Sequence, residues 1–154
     1  HEAVLERGDM DDDHKLIKYS LDGRHTFWEL TGSSRGKTEL QKLMDNPRTK
    51  GSCHKLFSQI AKIIDYGVRT SCGTGKLRCL DAALGLYEIK GFDGVNREMA
   101  YILCKEPAQV VLLRWFKGHQ GSGNIQAEID LSSKLAIEAA KQLKLVNDST
   151  EESA

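Results

Sequence analysis

Glu88, Lys90, Arg97, Arg114, Lys117 and His119 are the residues whose types could do chemistry together. Glutamate and histidine exchange protons, while lysine and arginine hold phosphate, arginine through two N–H groups at once. Such a set suits the metal-independent cutting of RNA. In that reaction the ribose 2′-hydroxyl attacks the adjacent phosphate. A base must take its proton, an acid must protonate the leaving oxygen, and cations must stabilise the phosphorane. Trp115 or Phe116 could stack on a base. Each residue also has a plainer reading. Glu88 and Lys90 suit an exposed cross-strand ion pair, Trp115 a core position, and His119 a turn.

These residues converge only if three strands bring them together. "LYEIK" alternates, with Tyr87 and Ile89 on one face and Glu88 and Lys90 on the other. "REMAYILC" reads as the next strand, opening on Arg97, and "QVVLLRWFK" as the third. The turns between them are short, which gives an antiparallel meander. Strict alternation on the third strand places Val111, Leu113, Trp115 and Lys117 together, with Val110, Leu112, Arg114 and Phe116 opposite. His119 follows in a loop whose Gly118, Gly121 and Gly123 let backbone and phosphate approach closely.

The remaining pattern supplies the frame. "HKLIKYSLDGRHTFWEL" holds one or two strands about an Asp22-Gly23 turn. A helix around Leu40, Leu43 and Met44 stops at Asn46-Pro47. A second, over Cys53–Tyr66, buries Leu56, Phe57, Ile60, Ile63 and Ile64 and ends at Gly67. A last helix from about Ile125 to Leu145 turns Ile125, Ile129, Ala136, Ala139 and Leu143 inward. The fold class expected is α+β. A small antiparallel sheet carries an N-terminal helical hairpin and a C-terminal helix, with the helices on one face.

Charge is unevenly distributed. Of the 22 acids, six lie in residues 1–13 and three in residues 148–154, leaving 13 acids against 21 bases between them, a net +8. Residues 1–13 are expected to form an acidic disordered tail or the remnant of a tag, residues 14–147 one domain, and residues 148–154 an acidic tail. A basic core between acidic ends points to a polyanionic partner such as nucleic acid. No apolar run has the length of a membrane span, and no secretory signal pattern opens the chain. The four cysteines make no C-x-x-C pair and fit no zinc spacing, so neither metal nor cofactor is expected, and a reducing cytoplasmic setting is.

The order of elements, with the strings "KLRCLDAALGLYEIKG", "NREMAYIL", "VVLLRWFKGHQ" and "QAEIDLSSKLAIEA", resembles the RelE/ParE superfamily of bacterial toxins. The likeness is strongest to its HigB-like, phage-derived branch and covers about Leu56 to Leu143. It implies a type II toxin that cuts messenger RNA, usually on the ribosome. Its partners would be messenger RNA, the ribosome and a restraining antitoxin protein, in a homodimer or a toxin–antitoxin hetero-oligomer. By position it implies catalytic roles for Glu88, Arg97, Lys117 and His119, and RNA-binding roles for Lys90, Arg114 and Trp115. "KGHQGSGN" departs from the family's usual lysine- and threonine-rich segment, and no tyrosine stands near the C-terminus. Two alternatives within the same fold follow: a ParE-like toxin that binds DNA gyrase, and a regulator of a phage or mobile element without catalysis.

Overall fold

The computed structural model describes residues 14–32, 36–118 and 122–153. Over these described residues it is an α+β domain with six strands and four helices. They are β1 (Lys15–Ser20), β2 (Thr26–Thr31), α1 (Glu39–Asp45), α2 (Lys50–Tyr66), α3 (Val68–Gly73), β3 (Leu77–Asp81), β4 (Leu86–Ile89), β5 (Asn96–Leu103), β6 (Gln109–Lys117) and α4 (Ser122–Ser153). The strands form one sheet in the order β1-β2-β6-β5-β4-β3.

Local chemistry accounts for the element ends. Asp22 closes the first hairpin, its Oδ1 accepting the backbone N–H groups of Arg24 and His25. Thr38 and Gln41 make a reciprocal capping box at the start of α1. Gly67, at φ +89°, ends α2. In α2 the buried residues Cys53, Leu56, Ile60 and Ile63 fall on one helical stripe.

The expectation of a purely antiparallel sheet is corrected. β2 and β6 run parallel, pairing Trp28 with Val111 and Glu29 with Leu112. The reason lies in the run Val110–Leu113, which is buried on both faces. A strand apolar on both faces belongs in the interior of a sheet and needs a neighbour on each side. β5 supplies one neighbour, and β2, itself buried from Phe27 to Thr31, supplies the other.

The same burial corrects the expectation of helices on one face. One core, around Phe27, Leu56, Ile60, Ile89, Ile102 and Leu112, lies under α1 and α2. A second, around Trp28, Met99, Val111, Leu113 and Phe116, lies under α4. Ala136 and Ala139, fully buried, let α4 approach the sheet closely. α4 continues to Ser153, so residues 148–153, expected as a tail, are helical. No helix among the described residues is long and apolar enough to cross a membrane.

Candidate functional site

A β-bulge decides which charged residues meet. Met99 pairs with Arg114, but Ala100 pairs with Leu112, so Leu113 is an extra residue on β6. A bulge sets two consecutive residues against one and breaks the alternation of faces. Leu113, Arg114 and Phe116 therefore share the α4 face: Leu113 and Phe116 join that core, and Arg114 reaches Glu128 of α4. Trp115 turns to the α2 face, where its ring packs on Phe92 at 5.0 Å. Lys117, opposite Asn96 and exposed, follows Trp115 in the alternation. This corrects the sequence-based grouping of Trp115 and Lys117 with Val111 and Leu113, and of Arg114 and Phe116 with Val110 and Leu112.

On the α4 face, adjacent strands bring Glu88, Arg97 and Arg114 to one side. Glu88 sits on β4 between Leu86, which joins the α4-side core, and Ile89, which joins the other. It is 5% exposed. Two arginines flank its carboxylate: Arg97 Nε lies 3.8 Å from Oε2 and Arg78 Nη1 lies 3.9 Å from Oε1. The Arg97 side chain is 12% exposed and that of Arg78 is 61% exposed, so Arg78 is the open side of the group. Arg97 Nη1 also donates to the backbone oxygen of Asn96 at 3.0 Å.

Gly118 makes room for this arrangement. A Cβ at that position would lie 3.1 Å from Arg97 Cγ and 3.2 Å from its Cζ and Nε. The guanidinium thus lies against the backbone just past β6. Lys90 lies one residue beyond β4 and is half-buried, its N–H donating to Lys76 O at 2.9 Å. His119 falls outside the described residues.

Arg114 has a different setting. Its Nε and Nη2 donate to the two carboxylate oxygens of Glu128 at 2.6 and 3.0 Å. This bidentate pair raises the Arg114 pKa further, through the hydrogen bond to Glu128 first. Around the bulge, carboxylates satisfy the strand's N–H groups: Trp115 N–H donates to Glu39 Oε1 at 2.8 Å, and Leu113 N–H to Glu98. Glu29 accepts from the Tyr19 hydroxyl at 2.6 Å and from the Leu40 N–H at 3.1 Å. Glu98 is 3% exposed, and its pKa is driven well above the usual carboxylate range, by burial first and then by the charges of Glu39 and Glu29. Beyond Glu29 and Leu112 the two parallel strands no longer pair, and a cleft of about 660 Å³ opens beside Glu29, Glu39, Leu113 and Arg114.

The arrangement can bind a phosphate through Arg78 and Arg97 and present a carboxylate beside it. Among the described residues, no group of three or more His, Cys, Asp or Glu could hold a metal ion. Sequence reasoning missed Arg78, Glu39, Glu98 and Glu128, and read Gly118 as room for a phosphate where the structure shows room for Arg97. Arg78 is the one it could have found, since "KLRCLD" alternates as an edge strand and sets Arg78 opposite Glu88. No family model, curated protein or solved structure matches the chain.

Proposed function

We propose that the chain is the toxin of a type II toxin–antitoxin pair. It is a metal-independent endoribonuclease of RelE/HigB type that cuts messenger RNA, on the ribosome, in the cytoplasm. The observation that carries this reading is the Glu88 carboxylate held between Arg78 and Arg97 on one sheet face. A phosphodiester meets the exposed Arg78 first and Arg97 behind it. Glu88 then takes the proton of the 2′-hydroxyl as its oxygen bonds to phosphorus. The bond to O5′ breaks, and O5′ takes its proton from His119, assigned here from sequence alone. The products are a 2′,3′-cyclic phosphate and a 5′-hydroxyl. Guanidinium groups placed at the developing phosphorane charge account for much of the rate. Lys90, just past β4, and Lys117, at the end of β6 on the opposite face, contribute charge for the RNA backbone. The placing of helices before the meander and one after it is in keeping with the RelE-like arrangement.

A second reading is favoured by specific contacts. Arg114 is paired bidentately with Glu128, and Trp115 packs on Phe92. Both are thus held by protein contacts before any RNA binds, which suits a ParE-like toxin that binds gyrase or a non-catalytic phage regulator. Two assays with the purified chain separate the readings: message integrity in cell-free translation, and DNA supercoiling by gyrase. Cleavage of the message with unimpaired supercoiling supports the nuclease. Intact message with inhibited supercoiling supports the ParE-like reading, and no effect in either supports the regulator.

A further inference from the structure

A pocket of about 220 Å³ opens between α2, α3 and the edge strand β3. Two glycines shape it. Gly67, at φ +89°, separates α2 from α3, and Gly75, at φ +78°, returns the chain into β3. The walls are apolar, with Ile63 from α2 and Leu77 from β3. Two buried polar side chains line the same space. Gln59 is 7% exposed and Ser71 is 9% exposed. Among the described residues, neither side chain has a hydrogen-bond partner. Gln59 Nε2 lies 3.7 Å from where a Cβ on Gly91 would stand, and Lys76 Cγ lies 3.1 Å from the same point. The amide and the lysine stem thus meet against one glycine.

Each part of the pocket asks for a different part of a ligand. A buried carboxamide without partners is costly and uncommon in native proteins. It offers two donors and an acceptor, so it is satisfied by a ligand edge that carries both kinds of group. Tyr66, 67% exposed, sets an aromatic face beside the apolar walls. Lys62 and Lys76 are exposed, neither has an acidic partner among the described residues, and no carboxylate lines the pocket. They suit an anion at the mouth. A fatty acid would satisfy the walls and the lysines but leave the Gln59 amide unpaired. A sugar phosphate would leave the walls and the Tyr66 ring uncovered.

We propose that this pocket binds a nucleotide, base inward and phosphate at the lysines. The base edge pairs with the Gln59 amide and the Ser71 hydroxyl. A carboxamide can meet a base edge through a donor and an acceptor together. The base faces pack on Ile63, Leu77 and the Tyr66 ring, an aromatic contact that every base can make. The phosphate stays outside, between Lys62 and Lys76. The pocket is distinct from the Glu88 group: Leu77 joins the α2-side core, whereas Arg78, next along β3, reaches Glu88. The inference does not rest on the nuclease reading. The same chemistry is offered by a free mononucleotide and by one residue of a nucleic-acid strand.

The test is a methyl NMR titration of the full chain, labelled at isoleucine and leucine. The probes are the four nucleoside 5′-monophosphates, the matching nucleosides, and a tetradeoxynucleotide holding all four bases. The tetradeoxynucleotide has no 2′-hydroxyl, so binding is read apart from cleavage. Saturable shifts of the Ile63 and Leu77 methyls are expected. Shifts with a monophosphate identify a free nucleotide as ligand, and shifts with the tetradeoxynucleotide alone identify a residue of a strand. Gln59→Leu loses no hydrogen bond within the protein, so it should fold, and it should weaken binding about 10-fold. Lys62→Gln combined with Lys76→Gln should abolish the preference for monophosphate over nucleoside. No saturable shift at these methyls with any probe, or equal affinity in Gln59→Leu, would overturn the proposal. The wild-type titration decides even where a variant does not fold.

Discussion

At the scale of single residues, the proposed cleavage turns on Glu88 and the arginines beside it. Arg97 is held from three sides: by Glu88, by the Asn96 carbonyl, and by the absence of a side chain at Gly118. Arg97→Ala is expected to lower RNA cleavage about 10²–10³-fold with the fold intact, as measured by single-turnover cleavage beside thermal unfolding. Gly118→Ala makes a sharper test, because it leaves every charged group in place. The added methyl displaces the guanidinium by a few tenths of an ångström or more. Misplacement on that scale is expected to cost about 10-fold or more in rate. An unchanged rate in Gly118→Ala would show that the position of Arg97 does not matter to the reaction. The types of these residues were legible in the sequence. Their grouping was not fully so, because the pairing that sets Arg78 opposite Glu88 is fixed by the β3–β4 register rather than by residue type.

At the scale of elements, the bulge and the hairpin clamp set the geometry. The strand-by-strand pattern of β4, β5 and β6 could be read from period-two alternation alone. The bulge could not, since one extra residue at Leu113 leaves the hydrophobic sequence unchanged while moving Trp115 and Lys117 to the other face. The parallel pairing of β2 with β6 was likewise illegible, because it joins segments far apart in the chain. Glu98 accepts the Leu113 N–H at the bulge, and burial favours its neutral form. A carboxyl whose folded pKa is raised destabilises the fold as pH rises from about 4.5 through the folded value. Glu98→Gln keeps the shape and removes the charge. It is expected to flatten this decline, so that the variant gains on wild type as pH rises, read by thermal unfolding across pH. The His25 clamp has two limbs. His25 Nδ1 lies 2.9 Å from Asp22 Oδ2 and Nε2 lies 2.8 Å from Asp65 Oδ1, tying the hairpin turn to the end of α2. Hydrogen bonds to Asp22, then Asp65, raise the His25 pKa above 6.5. Hydrogen bonds from the backbone N–H and then the side chain of His25 hold Asp22 down to about 2. The His25 contribution is complete below about 6.5 and lost as pH rises through its folded value. The Asp22 contribution is complete above about 3.8 and lost as pH falls toward about 2. The clamp is thus strongest between about 4 and 6.5. In unfolding measurements, His25→Gln should lose most stability in that window and least at alkaline pH. An equal loss at every pH would contradict the charged clamp.

At the scale of the whole molecule, the nuclease proposal joins the basic composition of residues 14–147 to the arginine-flanked carboxylate. If Arg78, Lys90 and Lys117 meet phosphates, the logarithm of affinity for single-stranded RNA should fall with the logarithm of salt concentration. The slope should be about −2, from about −0.7 per contact. Filter binding at several salt concentrations checks it, and a flat response would favour a protein target. The nuclease account stands most directly on the chemistry of the cut ends. Message from a translating cell-free reaction, incubated with the purified chain, is mapped by primer extension and its new 3′ ends are tested for a 2′,3′-cyclic phosphate. The account predicts discrete cuts ending in cyclic phosphate, slowed about 10²–10⁴-fold in Glu88→Gln. Intact message, or cleavage equally fast in Glu88→Gln, would contradict it.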